Sequence, residues 1–199
     1  MKLIIVRHAE TIENSQGIIQ GHRPGKLSSE GMEQAKKLAR TLRSERIRNI
    51  YSSDLARAVD TTAEIVKYHP GVPVRFLEIM RERNLGELEG KKRDELIHPE
   101  NEKKPLILHT EEGESVEALL KRAEKILELM IAAHPDDTVL LVLHGGTGKA
   151  LISLLENSGH VGYTSLPRLM NASISIYQVY ENGDFEKITF NNVEHLNQH

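Results

Sequence analysis

Two short apolar runs constrain this chain more than anything else in it. They are Leu3-Ile4-Ile5-Val6 near the start and Val139-Leu140-Leu141-Val142-Leu143 late in the sequence. Neither alternates polar with apolar residues, so each reads as a strand buried on both faces, as in the interior of a parallel sheet. Each run stops on a histidine: Arg7-His8 in the first case, His144-Gly145-Gly146 in the second. In open α/β sheets, ligands sit beyond the carboxyl ends of the strands. If the two strands are sheet neighbours, an arginine and two imidazoles meet at one edge, which suggests an anion site.

The rest of the chain supplies layers around such a sheet. After Asn14 comes a polar loop, Ser15 to Lys26, and then Ala35, Leu38, Ala39 and Leu42 at helical spacing, with a start near Ser28-Ser29-Glu30. Ile47–Tyr51 reads as a second strand, followed by a helix from about Asp54 to His69-Pro70-Gly71, where proline stops it. Val72–Leu77 is a third strand candidate. From Glu78 to about Glu114 regularity fades into dense charge, with at most a short helix near Arg93–Ile97. Connections this long are usually lids or binding loops. Val116, Leu119, Leu120, Ala123, Ile126, Leu127 and Met130 mark the clearest amphipathic helix. Asp136-Asp137 turn the chain into the second apolar strand, and a helix follows to about Glu156. Ala172–Tyr180 and Phe185–Phe190 read as a hairpin through Asn182-Gly183. This order predicts an α/β sandwich around a mixed sheet.

Composition removes several classes of function. The 199 residues suit one domain, and the absence of cysteine excludes disulfides, thiolate metal sites and a cysteine nucleophile. The net charge of −3, from 26 basic and 29 acidic residues spread along the chain, argues against a general nucleic-acid binder. No signal-peptide pattern opens the chain and no run approaches the ~20 apolar residues of a membrane span, so a cytoplasmic protein is expected. Ten histidines occur without a metal-ligand spacing such as HxxEH, so no metal is expected. Gly145-Gly146-Thr147-Gly148-Lys149 is not a P-loop, because Leu143 and Ala150 stand where glycine and Ser or Thr are needed.

Arg57 falls in the first turn of the helix after the Tyr51 strand and so faces the same edge as His8 and His144. Helix N-termini present free amides and partial positive charge to anions, and Gly145-Gly146 before a helix allows close backbone approach. Two arginines, two histidines and free amides make a pocket shaped for a phosphoryl group.

At this point the residues resemble a known family. Arg7-His8-Ala9-Glu10-Thr11 with Asn14 is similar to the signature of the histidine phosphatase superfamily, in its phosphoglycerate mutase-like branch. The resemblance continues through Gly31-Met32-Glu33-Gln34-Ala35, Ser52-Ser53-Asp54-Leu55-Ala56-Arg57-Ala58, Arg81 to Gly90, Gly113-Glu114-Ser115 and His144-Gly145-Gly146, in the family's order. It implies a three-layer α/β/α sandwich around a mixed, mostly parallel sheet, as one domain over 1–199 with a cap insertion at about 87–112. His8 looks like the nucleophile that becomes phosphohistidine. Arg7, Arg57 and His144 look like ligands of the phosphate oxygens, Asn14 like a lesser one, with Gln20, Gly21 and Gly145 also on the substrate. Glu82 looks like the acid that protonates the leaving oxygen and then deprotonates the attacking water, so an optimum on the acidic side of neutral is expected. Leu143 and Leu88 depart from the usual residues and put substrate fit in question, and Lys149 stands where arginine is frequent.

The implied activity is hydrolysis of small phosphomonoesters with no cofactor. The alternatives are a phosphoglycerate mutase, which would use 2,3-bisphosphoglycerate and for which Lys91, Lys92 and Arg93 could supply extra cations, and a catalytically silent phosphate-binding module. The expected partner is a small phosphorylated metabolite, with no nucleic acid and no membrane; the resemblance allows a homodimer.

Overall fold

In the computed structural model, residues 1–96, 110–181 and 184–197 are described. Six strands form one sheet: β1 (Lys2–Arg7), β2 (Asn49–Ser52), β3 (Val74–Phe76), β4 (Thr138–Leu143), β5 (Ile174–Val179) and β6 (Phe185–Asn192). Their order is β3-β2-β4-β1-β5-β6. β3, β2, β4 and β1 run parallel, while β5 and β6 are antiparallel additions at one side. The expected mixed, mostly parallel sheet is what forms.

The unbroken apolar runs find their reason in the layers. Ile4, Val6, Leu140 and Val142 face a core with α2 (Ser29–Leu42) and α3 (Ala56–Val66). Leu3, Ile5, Val139, Leu141 and Leu143 face the opposite core, with α4 (Val116–Ala133) and α5 (Gly145–Leu155). Both faces are covered, so both sets of alternate residues must be apolar. Ser28 caps α2 by accepting from the Gly31 amide, and Ser115 caps α4 through the Ala118 amide, which fixes where each helix starts.

Boundaries moved where local chemistry outvoted pattern. β2 begins at Asn49, two residues later than Ile47, and α3 begins at Ala56 without a side-chain cap and stops at Val66, before the proline. β3 is three residues long. The predicted loop Ser15–Lys26 is preceded by a single helical turn, α1 (Ile12–Ser15), closed by a reciprocal box between Thr11 and Asn14. α6 (Gly159–Ser165) was not read from the sequence, being short and poor in apolar periodicity. Between Glu78 and Glu114 the described backbone forms three short 3₁₀ turns, at Glu78–Met80, Gly86–Leu88 and Arg93–Leu96. The greater part of the expected cap, and the Asn182-Gly183 turn, lie outside the described residues.

Candidate active site

Register alone brings the two histidines together. β1 and β4 are adjacent and parallel, with Arg7 opposite Leu143, so the next residue of each strand is a histidine at the same sheet edge. The His8 and His144 rings are 5.2 Å apart, tilted by 58°, and both are buried. β2 ends beside β4 at Ser52, and α3 carries Arg57 back over the same edge.

Hydrogen bonds fix the tautomers. His8 Nδ1 lies 2.7 Å from the Ala9 carbonyl oxygen, which can only accept, so Nδ1 carries the proton and Nε2 presents a lone pair. Arg57 Nε donates to His144 Nδ1 at 3.2 Å, so the neutral His144 proton sits on Nε2. That Nε2 is buried without a partner, as is Arg7 Nε. Two buried donors at one edge therefore lack acceptors, and an anion would satisfy both. Burial, then Arg57 and Arg7, hold His8 well below the ordinary imidazole range; burial and Arg57 do the same to His144. Burial and neighbouring Arg168 bring Arg7 down to about 9, and burial brings Arg57 to about 10, so both stay charged at neutral pH.

Arg57 is more occupied than a simple phosphate ligand would be. Besides His144, it donates to the carbonyls of Gly21 at 2.8 Å, Arg23 at 2.6 Å and Pro24 at 3.2 Å. It thus pins the loop after α1, leaving one Nη2 hydrogen for a ligand. Asn14 Oδ1 accepts from the Thr11 amide and from Asn171 Nδ2, which leaves its own Nδ2 as the group able to donate. Gln20 and Gly21 line the cavity; the Gln20 Oε1 has no partner, and Gly21 adopts φ +51°.

Glu82 sits across the opening, held as an N-terminal anion of α5. Its Oε2 accepts from the Gly146 amide at 3.0 Å, and its Oε1 from the Thr147 amide at 3.1 Å and the Arg83 amide at 2.8 Å. A Cβ on Gly146 would lie 2.5 Å from Glu82 Oε1, so this glycine is required by the carboxylate rather than by a ligand. At Gly145, which lines the cavity, a Cβ would meet only ordinary contacts. The segment carrying Glu82 is strapped from behind. Arg122 on α4 donates to the carbonyls of Ile79, Arg81 and Glu82 while pairing both Glu114 oxygens at 2.6–2.7 Å. Thr147 Oγ1 and His22 Nε2 add contacts to the carbonyls of Arg81 and Glu82.

A cavity of about 540 Å³ opens over these groups. All nine sequence-predicted site residues except the fully buried His144 line it. Arg83, Arg168, Tyr163 and Lys149 line it too, and of these the sequence had singled out Lys149 alone, as a departure from pattern. Arg168 follows α6 in a stretch without periodicity, so no local signal marked it. Of the three cap cations, Arg93 lines the cavity, whereas Lys91 and Lys92 are exposed and outside it. Leu88 packs with Ile19 and Leu85, and Leu143 belongs to the main core; neither lines the cavity, so neither bears on substrate fit. Among the described residues, no three metal-ligating side chains are grouped to hold an ion, and no helix is long and apolar enough to cross a membrane.

Comparison with known proteins places this geometry. Residues 3–193 match the family model of the histidine phosphatase superfamily, branch 1. The chain is 31% identical, over 88% of its length and 75% of the relative's, to a metal-independent phosphoserine phosphatase of Arabidopsis thaliana. It is 28% identical to phosphoglycerate mutase-like protein 4 of the same plant, over 99% of the chain and 87% of the relative. Among solved structures, Bacillus stearothermophilus YhfR superposes with a TM-score of 0.86 at 28% identity, covering 98% of each chain.

Proposed function

We propose that this chain, which belongs to the histidine phosphatase superfamily, hydrolyses small phosphomonoesters through a phosphohistidine on His8. One observation carries the proposal: the His8 Nε2 lone pair opens at the same edge as the two unpartnered buried donors, Arg7 Nε and His144 Nε2.

The steps follow from the residues. The phosphoryl oxygens take hydrogen bonds from Arg7, His144, the remaining Arg57 hydrogen and Asn14, so charge spread over them in the transition state meets fixed donors. His8 Nε2 forms a bond to phosphorus as the ester P–O bond breaks. An alkoxide is a poor leaving group, so the departing oxygen takes a proton from Glu82, whose Oε2 is engaged by one amide only. A water then attacks the phosphohistidine, Glu82 takes its proton, and phosphate leaves with His8 restored. Ala9 holds Nδ1 throughout, so the ring always presents Nε2. No step needs a metal or organic cofactor, and Arg57 doubles as the tie that shapes the wall around Gly21. Residues 1–199 act as one domain, with the segment at about 87–112 as the cap that selects the leaving group. A cytoplasmic setting, with a phosphorylated metabolite as partner, suits this chemistry.

The test is phosphate release from p-nitrophenyl phosphate and a metabolite panel by the wild type and by His8→Ala. Turnover that vanishes in the variant supports the proposal; turnover that survives defeats it. A mutase is the second reading, favoured by cations beyond those a single phosphate engages. It predicts interconversion of 3- and 2-phosphoglycerate faster than phosphate release.

A further inference from the structure

The cavity holds more positive charge than one phosphate can answer. Arg7, Arg57, Arg83, Arg93, Lys149 and Arg168 line it against the two carboxylates of Glu82 and Asp94. A phosphomonoester dianion neutralises half of that excess. Burial sorts the cations by depth: Arg7 and Arg57 are almost wholly enclosed, Arg93 and Lys149 partly exposed, and Arg168 exposed. The outer three come from three separate elements, and each is anchored by its backbone or ring surroundings rather than waving from a loop.

Arg93 donates its amide to the Gly17 carbonyl at 2.9 Å, next to the bridge between Lys92 and Ile18. Arg168 precedes Leu169, whose carbonyl accepts from Arg7 Nη1, and its own carbonyl accepts from Asn191 Nδ2 at 3.1 Å. Lys149 rises from α5 with its ammonium 5.2 Å above the centre of the Tyr163 ring. Within the described residues, the side chains of Arg93 and Arg168 make no hydrogen bond or ion pair. Arg168 instead opposes the charge on both Arg93 and Arg7. Like charges held together without an acid between them cost free energy in the empty protein, and a ligand anion recovers it.

We propose that the substrate carries a second anionic group, a carboxylate or a second phosphate, which Arg93, Lys149 and Arg168 hold in the outer cavity while the phosphoryl group sits at His8. The inference rests on the phosphatase reading and narrows its substrates. Esters with neutral bodies then bind through the inner site alone. Esters with two anionic ends bind both, with their orientation fixed before the His8 attack.

The experiment compares three esters of one three-carbon body: glycerol phosphate, 3-phosphoglycerate and a glycerol bisphosphate. The wild type should show kcat/KM at least about 10-fold higher for one of the two doubly anionic esters, the span of one charge-assisted hydrogen bond. A preference for 3-phosphoglycerate identifies a carboxylate, and a preference for the bisphosphate identifies a second phosphate. Arg93→Gln and Arg168→Gln should each lower that preference ratio by about 10-fold through KM, and Arg93→Lys and Arg168→Lys should restore most of it. Equal kcat/KM for all three esters, or a ratio unchanged in both glutamine variants, overturns the second-anion site and leaves the phosphatase standing. Failure of the wild type to release phosphate from any of them overturns both.

Discussion

Replacing Arg122 by methionine tests whether Glu82 works because its segment is strapped. Arg122 touches no reacting atom in the proposed chemistry, yet it holds the carbonyls of Ile79, Arg81 and Glu82 and both oxygens of Glu114. Its side chain is 19% exposed and that of Glu114 16%. Removing one partner of a buried pair costs about 3–5 kcal/mol, and residual solvation of this pair brings the expectation to about 2–3 kcal/mol. For a chain of this size that is a fall in Tm of about 4–12 °C. The catalytic cost is separate. A displacement of order 1 Å at a catalytic group lowers rate by about 100-fold, so kcat should drop by about 10- to 100-fold with KM little changed. The double variant Arg122→Met with Glu114→Gln separates the effects, because it removes the stranded carboxylate without restoring the straps. Thermal melts should show part of the stability recovered, while steady-state assays show kcat still low. If kcat recovers in step with Tm, or if Arg122→Met turns over like wild type, the strap does not position Glu82.

Glu82→Gln should lower kcat by about 10²- to 10⁴-fold on alkyl phosphates and much less on p-nitrophenyl phosphate, whose leaving group needs little protonation; equal losses on both would deny the acid role. Because burial, Arg57 and Arg7 hold His8 well below its usual range, the acid limb of kcat/KM should set in well below pH 6.5. The same shift has a stability sign. Below about pH 6.5 the unfolded chain takes up protons that buried His8 and His144 refuse, so their contribution is present above that pH and lost as pH falls toward their folded values. Chemical denaturation across pH 4–8 checks it, and a stability that rises on acidification in this window would contradict it. Inorganic phosphate at about 100 times its Kd should stabilise the protein by about 2.7 kcal/mol, seen as a melt shifted up by about 5–10 °C. That shift should be lost in Arg7→Gln.

The pattern of what could be read in advance follows from where each residue's information lies. His8 and His144 were legible because an apolar run fixes a strand, and a strand fixes which edge its last residue reaches; the pairing of Arg7 with Leu143 then follows from parallel neighbours. Arg57 was legible as a first-turn residue, but its ties to Gly21, Arg23 and Pro24 were not, because a loop's path has no period. Glu82 carried no signal beyond the family's motif: its place depends on a glycine 64 residues away that leaves room for a carboxylate on the α5 amides. Arg122 looked like an ordinary polar residue of an amphipathic helix, and Arg168 like a surface cation. Both acquire their surroundings from segments distant in sequence. Gly145-Gly146 was read as space for a ligand, whereas the requirement falls on Gly146 and comes from Glu82.

The most direct measurement is a rapid-quench experiment with a substrate radiolabelled in its phosphoryl group. A protein-bound label that forms within one turnover, resists base, is lost in acid and maps to His8 is the expected result. A chain that releases phosphate steadily while never carrying such a label, or carries it elsewhere than on His8, contradicts the proposal.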